Sequence, residues 1–420
     1  MPACGDWVIG YYDLSTIYYA FADMPLESLI LYITFFVLCG LAIGAVAQNK
    51  YGEAVPLSFL GIVLILFSAL RDNIGRDYII YEEAFRTTDY PSYKHLEWIW
   101  QRFYDLLSYF HLSFYHWTLI VAIIFITLVL WALRKQSYTL WIALAFFVFT
   151  FKLYFESFNA VRQCMAQAIV LFAVPLYANR KYWSTLLILL AAIAVHRSAI
   201  IMIVLLPFLF VRFNPLFIGT MIVLSLTIIP LLLKPFLIFI TPYLPFDTYY
   251  LENMWATQED GGSGIFYFLN TILSLYLIYR SKELYRKDPN ILPYLNSFLF
   301  STIICNSLPF FQAGARLYYY MFMFLPILMS NLYTIGNKYD RALVMGLLFL
   351  QLTLTAKTIS LPDESFVRYK IIFKDREKRK TYDYRTEVLN YSGKEDQRTA
   401  LLQCSGNSYS IVRLNASGSV

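Results

Sequence analysis

A chain of 420 residues that is 59% hydrophobic, 19% aromatic and only 15% charged does not have the makeup of an ordinary soluble domain, in which about a quarter of residues are charged. Its apolar residues stand in long runs, the mark of bilayer-spanning helices, and the short alternating segments of an outer-membrane barrel are absent. The net charge of +6 is spread over loops, which suits an anionic membrane leaflet and gives no nucleic-acid footprint.

In chain order, the N-terminal stretch to Met24 holds Asp6, Asp13 and Asp23 without a basic residue, the reverse of a signal peptide. Apolar runs then predict spans at 27–47, 55–70, 117–133, 138–155, 160–178, 182–195, 198–211, 216–233, 265–279, 291–311, 317–335 and 341–357. The expected fold is all-α: a polytopic transmembrane helical bundle of about twelve helices over 1–357, with extracytoplasmic loops at 71–116 and 234–264. A charged tail follows at 358–420, read as flexible beyond about 374. Trp98, Trp100, Trp117, Trp141 and Trp183 are read as interfacial anchors. The scattered cysteines (Cys4, Cys39, Cys164, Cys305, Cys404) have no metal-site spacing and read as small buried residues.

Orientation follows the basic residues of short loops. Lys50, Arg134, Lys135, Arg180, Lys181, Arg212, Arg280, Lys282, Arg286, Lys287, Lys338 and Arg341 fall in alternate loops, assigned to the cytoplasm. The acidic N-terminus, 71–116, the 156–162 turn, the His196 turn, 234–264 and 312–316 go outside. Reading 182–211 as a single helix would invert every later loop, so a hairpin at His196 is expected. Parity then puts the basic tail outside, against the charge rule; eleven or thirteen helices stay open.

Polar residues gather on the outer side. The first cluster holds Arg71, Asp72, Asn73, Gly75, Arg76, Asp77, Tyr78 and Tyr81, where Asp77 to Phe85 can begin an amphipathic surface helix. His95, Glu97, Trp98, Trp100 and Arg102 continue it, either as a solvated loop with aromatic anchors or as part of a site. In the second, Asn159, Arg162, Gln163 and Gln167 share one helical face. A polar stripe entering the bilayer must face protein or a water-filled cavity, as a structural network or as a ligand site. His196-Arg197-Ser198 forms a hairpin tip, where the histidine is either a cap or a base. Gln312, Gly314 and Arg316 precede Tyr318, Tyr319 and Tyr320, and Arg316 either snorkels to the interface or binds an anion. The 241–264 loop reads as a lid or as a plain connector.

Several arginines with one histidine and carboxylates suit a phosphate held at membrane depth, because the guanidinium fork pairs bidentately with it and keeps its charge. Arg71, Arg76, Arg162 and Arg316 are candidates for stabilising a diphosphate leaving group without a metal. His196, Glu97 and Asp77 compete as general base, with His196 preferred because a neutral imidazole works near pH 7. Asn159, Gln163 and Tyr81 complete the candidate sugar and diphosphate contacts. No DxD, P-loop or GxGxxG motif occurs, and neither metal nor cofactor is expected.

At these residues the sequence resembles the EpsG/Wzy family of bacterial polysaccharide polymerases. The matching pieces are Arg71-Asp72-Asn73-Ile74-Gly75-Arg76-Asp77-Tyr78 with Tyr81 and Phe85, Glu97, Asn159-Ala160-Val161-Arg162-Gln163, His196-Arg197-Ser198, and Arg316 before its tyrosines. The resemblance implies a broadly GT-C-like inner-membrane glycosyltransferase. It would join undecaprenyl-diphosphate-linked oligosaccharide units, on the extracytoplasmic face, into capsular, O-antigen or exopolysaccharide chains. A flippase and a chain-length regulator are the protein partners implied. Two other readings use the same arginines: a transporter or flippase of lipid-linked sugars, which would need a two-sided path and commonly inverted repeats, and a glycan ligase. No internal repeat is visible.

Overall fold

The computed structural model describes residues 24–48, 52–75, 77–87, 91–94, 96–240, 264–309 and 316–361, together with 366, 367, 369 and 371. The chain divides into two compact units, Met1–Lys370 and Ile371–Val420, and the described helices all belong to the first. Arg76, His95, most of the 241–264 loop, Gln312, Gly314 and nearly all of the tail lie outside the described residues.

Among the described residues the elements are helical. They run α1 (Leu26–Gln48), α2 (Ala54–Ala69), α3 (Tyr78–Arg86), α4 (Trp98–Tyr109), α5 (Phe114–Gln136), α6 (Leu140–Phe149), α7 (Val161–Val170), α8 (Ala173–Ala178), α9 (Tyr182–Val195) and α10 (Ile201–Leu209). They continue with α11 (Pro215–Leu226), α12 (Ile228–Ile240), α13 (Gly264–Lys287), α14 (Leu292–Ser307), α15 (Tyr319–Phe322), α16 (Leu325–Ile335) and α17 (Lys338–Ser360). Four stretches are long and apolar enough to cross a membrane: α1, α5, α7 with α8, and α17. A fifth arises if α11 and α12, bent by 61° at Thr227, count as one. Other predicted spans appear as shorter or broken helices. The 138–155 run ends as a helix at Phe149 and turns through a buried 3-10 segment, Phe155–Phe158. The 317–335 run breaks between α15 and α16.

Apolar side chains cover outer as well as inner helix faces. On α1, Ile30, Ile33, Val37 and Leu41 are all more than half exposed while Tyr32, Phe35 and Cys39 are buried. A helix apolar all round belongs in lipid, and the chain is a membrane protein.

Contacts among the described residues gather several of the loops at two ends. At one end Glu53 meets Arg134, Tyr138 donates to Asp288, Tyr294 donates to Gln136, and Lys287 donates to the Ile335 carbonyl. At the other, the 156–162 turn, the His196 turn, Arg316 and the segment from Arg71 to Trp100 meet. The chain leaves α17 at this second end. Tyr32 donates to the Phe366 carbonyl at 2.8 Å, the Tyr369 amide donates to Ser28 Oγ at 2.9 Å, and the Tyr369 ring stacks on Phe67 at 4.3 Å. The start of the tail therefore shares the end of the bundle that holds Arg71, as parity requires.

The tryptophans divide. Trp98 and Trp183 are largely exposed, as interfacial anchors would be, but Trp100 and Trp117 are buried. Trp117 stacks on Phe114 at 5.1 Å, and Trp100 donates its indole N–H to the Val195 carbonyl at 2.8 Å. Both rings serve packing here. The Trp100 indole is satisfied by a carbonyl and is as stable inside as at the interface. The buried Trp117 N–H has no hydrogen-bond partner among the described residues, and the ring is held by its aromatic neighbours.

Candidate functional site

The apolar run of α9 ends at His196, which takes an extended conformation (φ −154°, ψ 119°) before the 3-10 turn Arg197–Ile200 opens α10. This is the expected hairpin: Tyr177 packs against both Tyr182 at its start and Phe210 at its end. Glu97 precedes α4 in an extended conformation (φ −61°, ψ 143°) and does not cap it. Its side chain instead reaches two other segments. Oε2 accepts from Arg162 Nη1 at 2.5 Å, and Oε1 meets His196 Nδ1 at 2.8 Å and the Arg197 amide at 3.3 Å. The indole bond of Trp100 to Val195, three residues along α4, fixes the same two elements together.

Three donors around one buried carboxylate set its charge. Burial pushes the Glu97 carboxyl up, but the His196 hydrogen bond and the Arg162 charge outweigh it and hold the group down at about 2, against an ordinary 4.5. An ionised carboxylate accepts only, so His196 Nδ1 carries the proton of this contact. In the neutral ring Nε2 then bears the free lone pair.

Around this cluster stand the other polar residues. The Arg162 guanidinium lies 5.9 Å from the centroid of the buried Tyr81 ring, and the charges of Arg162 and Arg316 both act on the Tyr81 hydroxyl. Gln163 donates to the Arg316 carbonyl at 2.7 Å, which ties α7 to the 316–318 turn. Ser198 and Tyr320 share a hydroxyl–hydroxyl bond of 2.9 Å. Arg162 keeps 24% of its side chain exposed and Arg316 is exposed, so both are open to a ligand.

Arg71 differs. It is buried, donates to the Ser68 carbonyl and, at 3.0 Å, to Ser68 Oγ, and stacks 4.6 Å from the Phe158 centroid. It braces the turn beneath the site, where Gly75 at φ +100° presses on the Phe158 carbonyl and Asn159. Asp77 sits half-buried at the start of α3 and Asn159 is buried at the start of α7.

Two charged residues were not singled out in the sequence. Lys152 lies 3.4 Å from Glu156 Oε2 and 5.7 Å from the Tyr319 centroid. Their i,i+4 spacing inside an otherwise apolar run was the available signal. Cys39, Cys164 and Cys305 are buried and unpaired.

A family model described as EpsG family matches residues 54–371, about three quarters of the chain and every one of these polar segments. No curated protein and no solved structure matches the chain.

Proposed function

Since the chain belongs to the EpsG family, we propose that it is a glycosyltransferase that polymerises oligosaccharide repeat units carried on undecaprenyl diphosphate. The observation that carries the reading is the Glu97 carboxylate held between Arg162 and His196. It sets an arginine that can pair with an anion beside an imidazole whose Nδ1 is taken by the carboxylate, leaving Nε2 free.

In the reaction, a hydroxyl of the incoming unit attacks the anomeric carbon that joins the growing chain to its lipid diphosphate. His196 Nε2 takes the hydroxyl proton as the C–O bond forms. The anomeric C–O bond to the diphosphate breaks with its electron pair on the leaving group, and Arg162 and Arg316 neutralise that charge. Single displacement inverts the anomeric centre. Glu97 holds the imidazole tautomer and the guanidinium fork in place, so it orients both groups and leaves the base role to His196. Tyr81 and Gln163 shape the pocket, Asn159 and Arg71 support it from below, and Arg76 and Asp77 border it.

The site is assigned to the extracytoplasmic face of the bacterial inner membrane, because the basic loops gather at the opposite end. A bundle of about twelve crossings, broadly GT-C-like, accommodates the shorter and broken helices as spans. The products are capsular, O-antigen or exopolysaccharide chains, and a flippase and chain-length regulator are the protein partners.

The test is purified protein with an undecaprenyl-diphosphate oligosaccharide. A ladder of multiples supports polymerisation. Transfer of lipid between leaflets without a ladder would mean a transporter, and transfer only to a different lipid acceptor a ligase. Arg162→Lys keeps the charge but loses the fork, and ladder formation is expected to fall at least about tenfold. An unchanged rate would remove Arg162 from the diphosphate site.

A further inference from the structure

At the opposite end of the bundle lies a second concave feature, which glycosyl transfer leaves without a role. The segment leaving α10 turns into α11 at Pro215, beside the last turns of α13 and the start of α14. Between them is a cavity of about 140 Å3 lined in part by Arg212, Phe213, Ile218, Lys282, Tyr285 and Leu295. Its makeup is amphiphilic. Arg212 and Lys282 are exposed, while Ile218 and Leu295 are buried.

The cations are uncompensated. The Arg212 guanidinium lies 4.4 Å from the Tyr285 ring centroid, held by stacking and not by a carboxylate. The acids of the surrounding elements are engaged elsewhere. Glu283 binds Arg280 and, at 3.2 Å, Lys287; Asp340 binds Arg280 at 2.9 Å; Asp288 accepts from the Tyr138 hydroxyl and, at 3.0 Å, from the Asn290 amide. Neither Arg212 nor Lys282 has an ion-pair partner among the described residues. The neutral polar groups of the wall are satisfied internally: Asn296 donates to the Leu209 and Val211 carbonyls at 2.8 and 2.9 Å, and Ser281 to the Ile278 carbonyl at 2.7 Å. The only charge left to offer there is positive, beside the Tyr285 hydroxyl.

We propose that this cavity binds the phosphate headgroup of an anionic phospholipid from the surrounding bilayer, with its glycerol and first acyl carbons against Phe213, Ile218 and Leu295. A soluble anion would satisfy the two cations but leave the apolar wall wet. A lipid satisfies both, and basic pockets between transmembrane helices are suited to anionic headgroups. The proposal rests on the chain being a membrane protein and is independent of its chemistry.

Native mass spectrometry of the full-length protein in detergent, titrated with phosphatidylglycerol or with phosphatidylcholine, tests it. The parent should retain at least one phosphatidylglycerol in preference to phosphatidylcholine. Removing a cation near an anionic lipid weakens binding about fivefold, so Arg212→Gln with Lys282→Gln should cost about 25-fold. Arg180→Gln with Lys181→Gln, which removes the same charge elsewhere on that end, should leave the affinity unchanged. Should the first pair fail to fold, Arg212→Gln alone carries the test with the fivefold loss. Equal losses from both pairs would mean diffuse attraction and overturn the site. Full displacement of the lipid by millimolar inorganic phosphate, or no preference over phosphatidylcholine, would overturn the lipid assignment.

Discussion

Replacing Glu97 with Gln keeps the shape of the side chain and removes the charge between Arg162 and His196. The fall of the carboxyl from 4.5 to about 2, at about 1.4 kcal/mol per pH unit, makes the charged form preferred in the folded state by about 3 kcal/mol. That is the ceiling of the stability lost near neutral pH. Because the folded value lies below the ordinary one, this contribution is fully present above about pH 4.5 and is lost as pH falls through about 2. The stability gap between parent and variant, followed by thermal unfolding in detergent, should therefore be flat from neutral to mildly acidic pH and close below it. The catalytic effect is larger. If the amide oxygen stays on Arg162, the amide NH2 faces Nδ1 and favours the tautomer with its proton on Nε2, where the base is needed. The initial rate of ladder formation should drop by about 10²–10⁴. A folded variant that polymerises within about threefold of the parent would refute the dyad.

His196→Gln should lower the ladder rate by about 10²–10⁴ while the substrate KM stays near the parental value, since it removes a proton acceptor and not a phosphate contact. Gly75→Ala puts a methyl 2.5 Å from the Phe158 carbonyl oxygen at φ +100°; a loss on the order of 2 kcal/mol is expected in chemical unfolding, and an unshifted midpoint would contradict the packing of this turn. Asp340 is fully buried, bridged to Arg280 at 2.9 Å and to Tyr276 at 2.6 Å. Asp340→Asn removes one of the two carboxylates on Arg280 and leaves Glu283 as the other, so it should cost about 1–3 kcal/mol, read as a lower melting temperature with no change in KM for the folded fraction.

The hairpin at His196 was legible because a His-Arg-Ser interruption between two apolar runs leaves few alternatives, and charge parity chose among them. Helical spacing put Asn159, Arg162, Gln163 and Gln167 on one face, but the helix begins only at Val161, so Asn159 lies before it, and Arg162 and Gln163 turn to different partners, Glu97 and the Arg316 carbonyl. The meeting of Glu97 with both partners was not legible, since it joins residues 65 and 99 positions apart and local patterns hold no information about such pairings. Arg71 looked like the other arginines in sequence, yet Phe158 and Ser68 hold it below the surface. Trp100 misled because an indole fits a lipid interface and a buried carbonyl equally well. Lys152 was overlooked because the predicted 138–155 span ran across it, where the helix in fact ends at Phe149, and this separated it from Glu156 in the predicted 156–162 turn.

Glu97 is borne on a segment between spans and is clipped to α9 through Trp100. It is also synthesised before both of its partners. The carboxylate cannot be seated until the His196 hairpin has been made and inserted, some hundred residues later. The cluster is therefore completed late in synthesis: a chain that ends before that hairpin has Glu97 and Arg162 but lacks the imidazole that fills the second carboxylate oxygen. The Trp100 bond to Val195 belongs to the same late event, since it too spans from α4 to the end of α9.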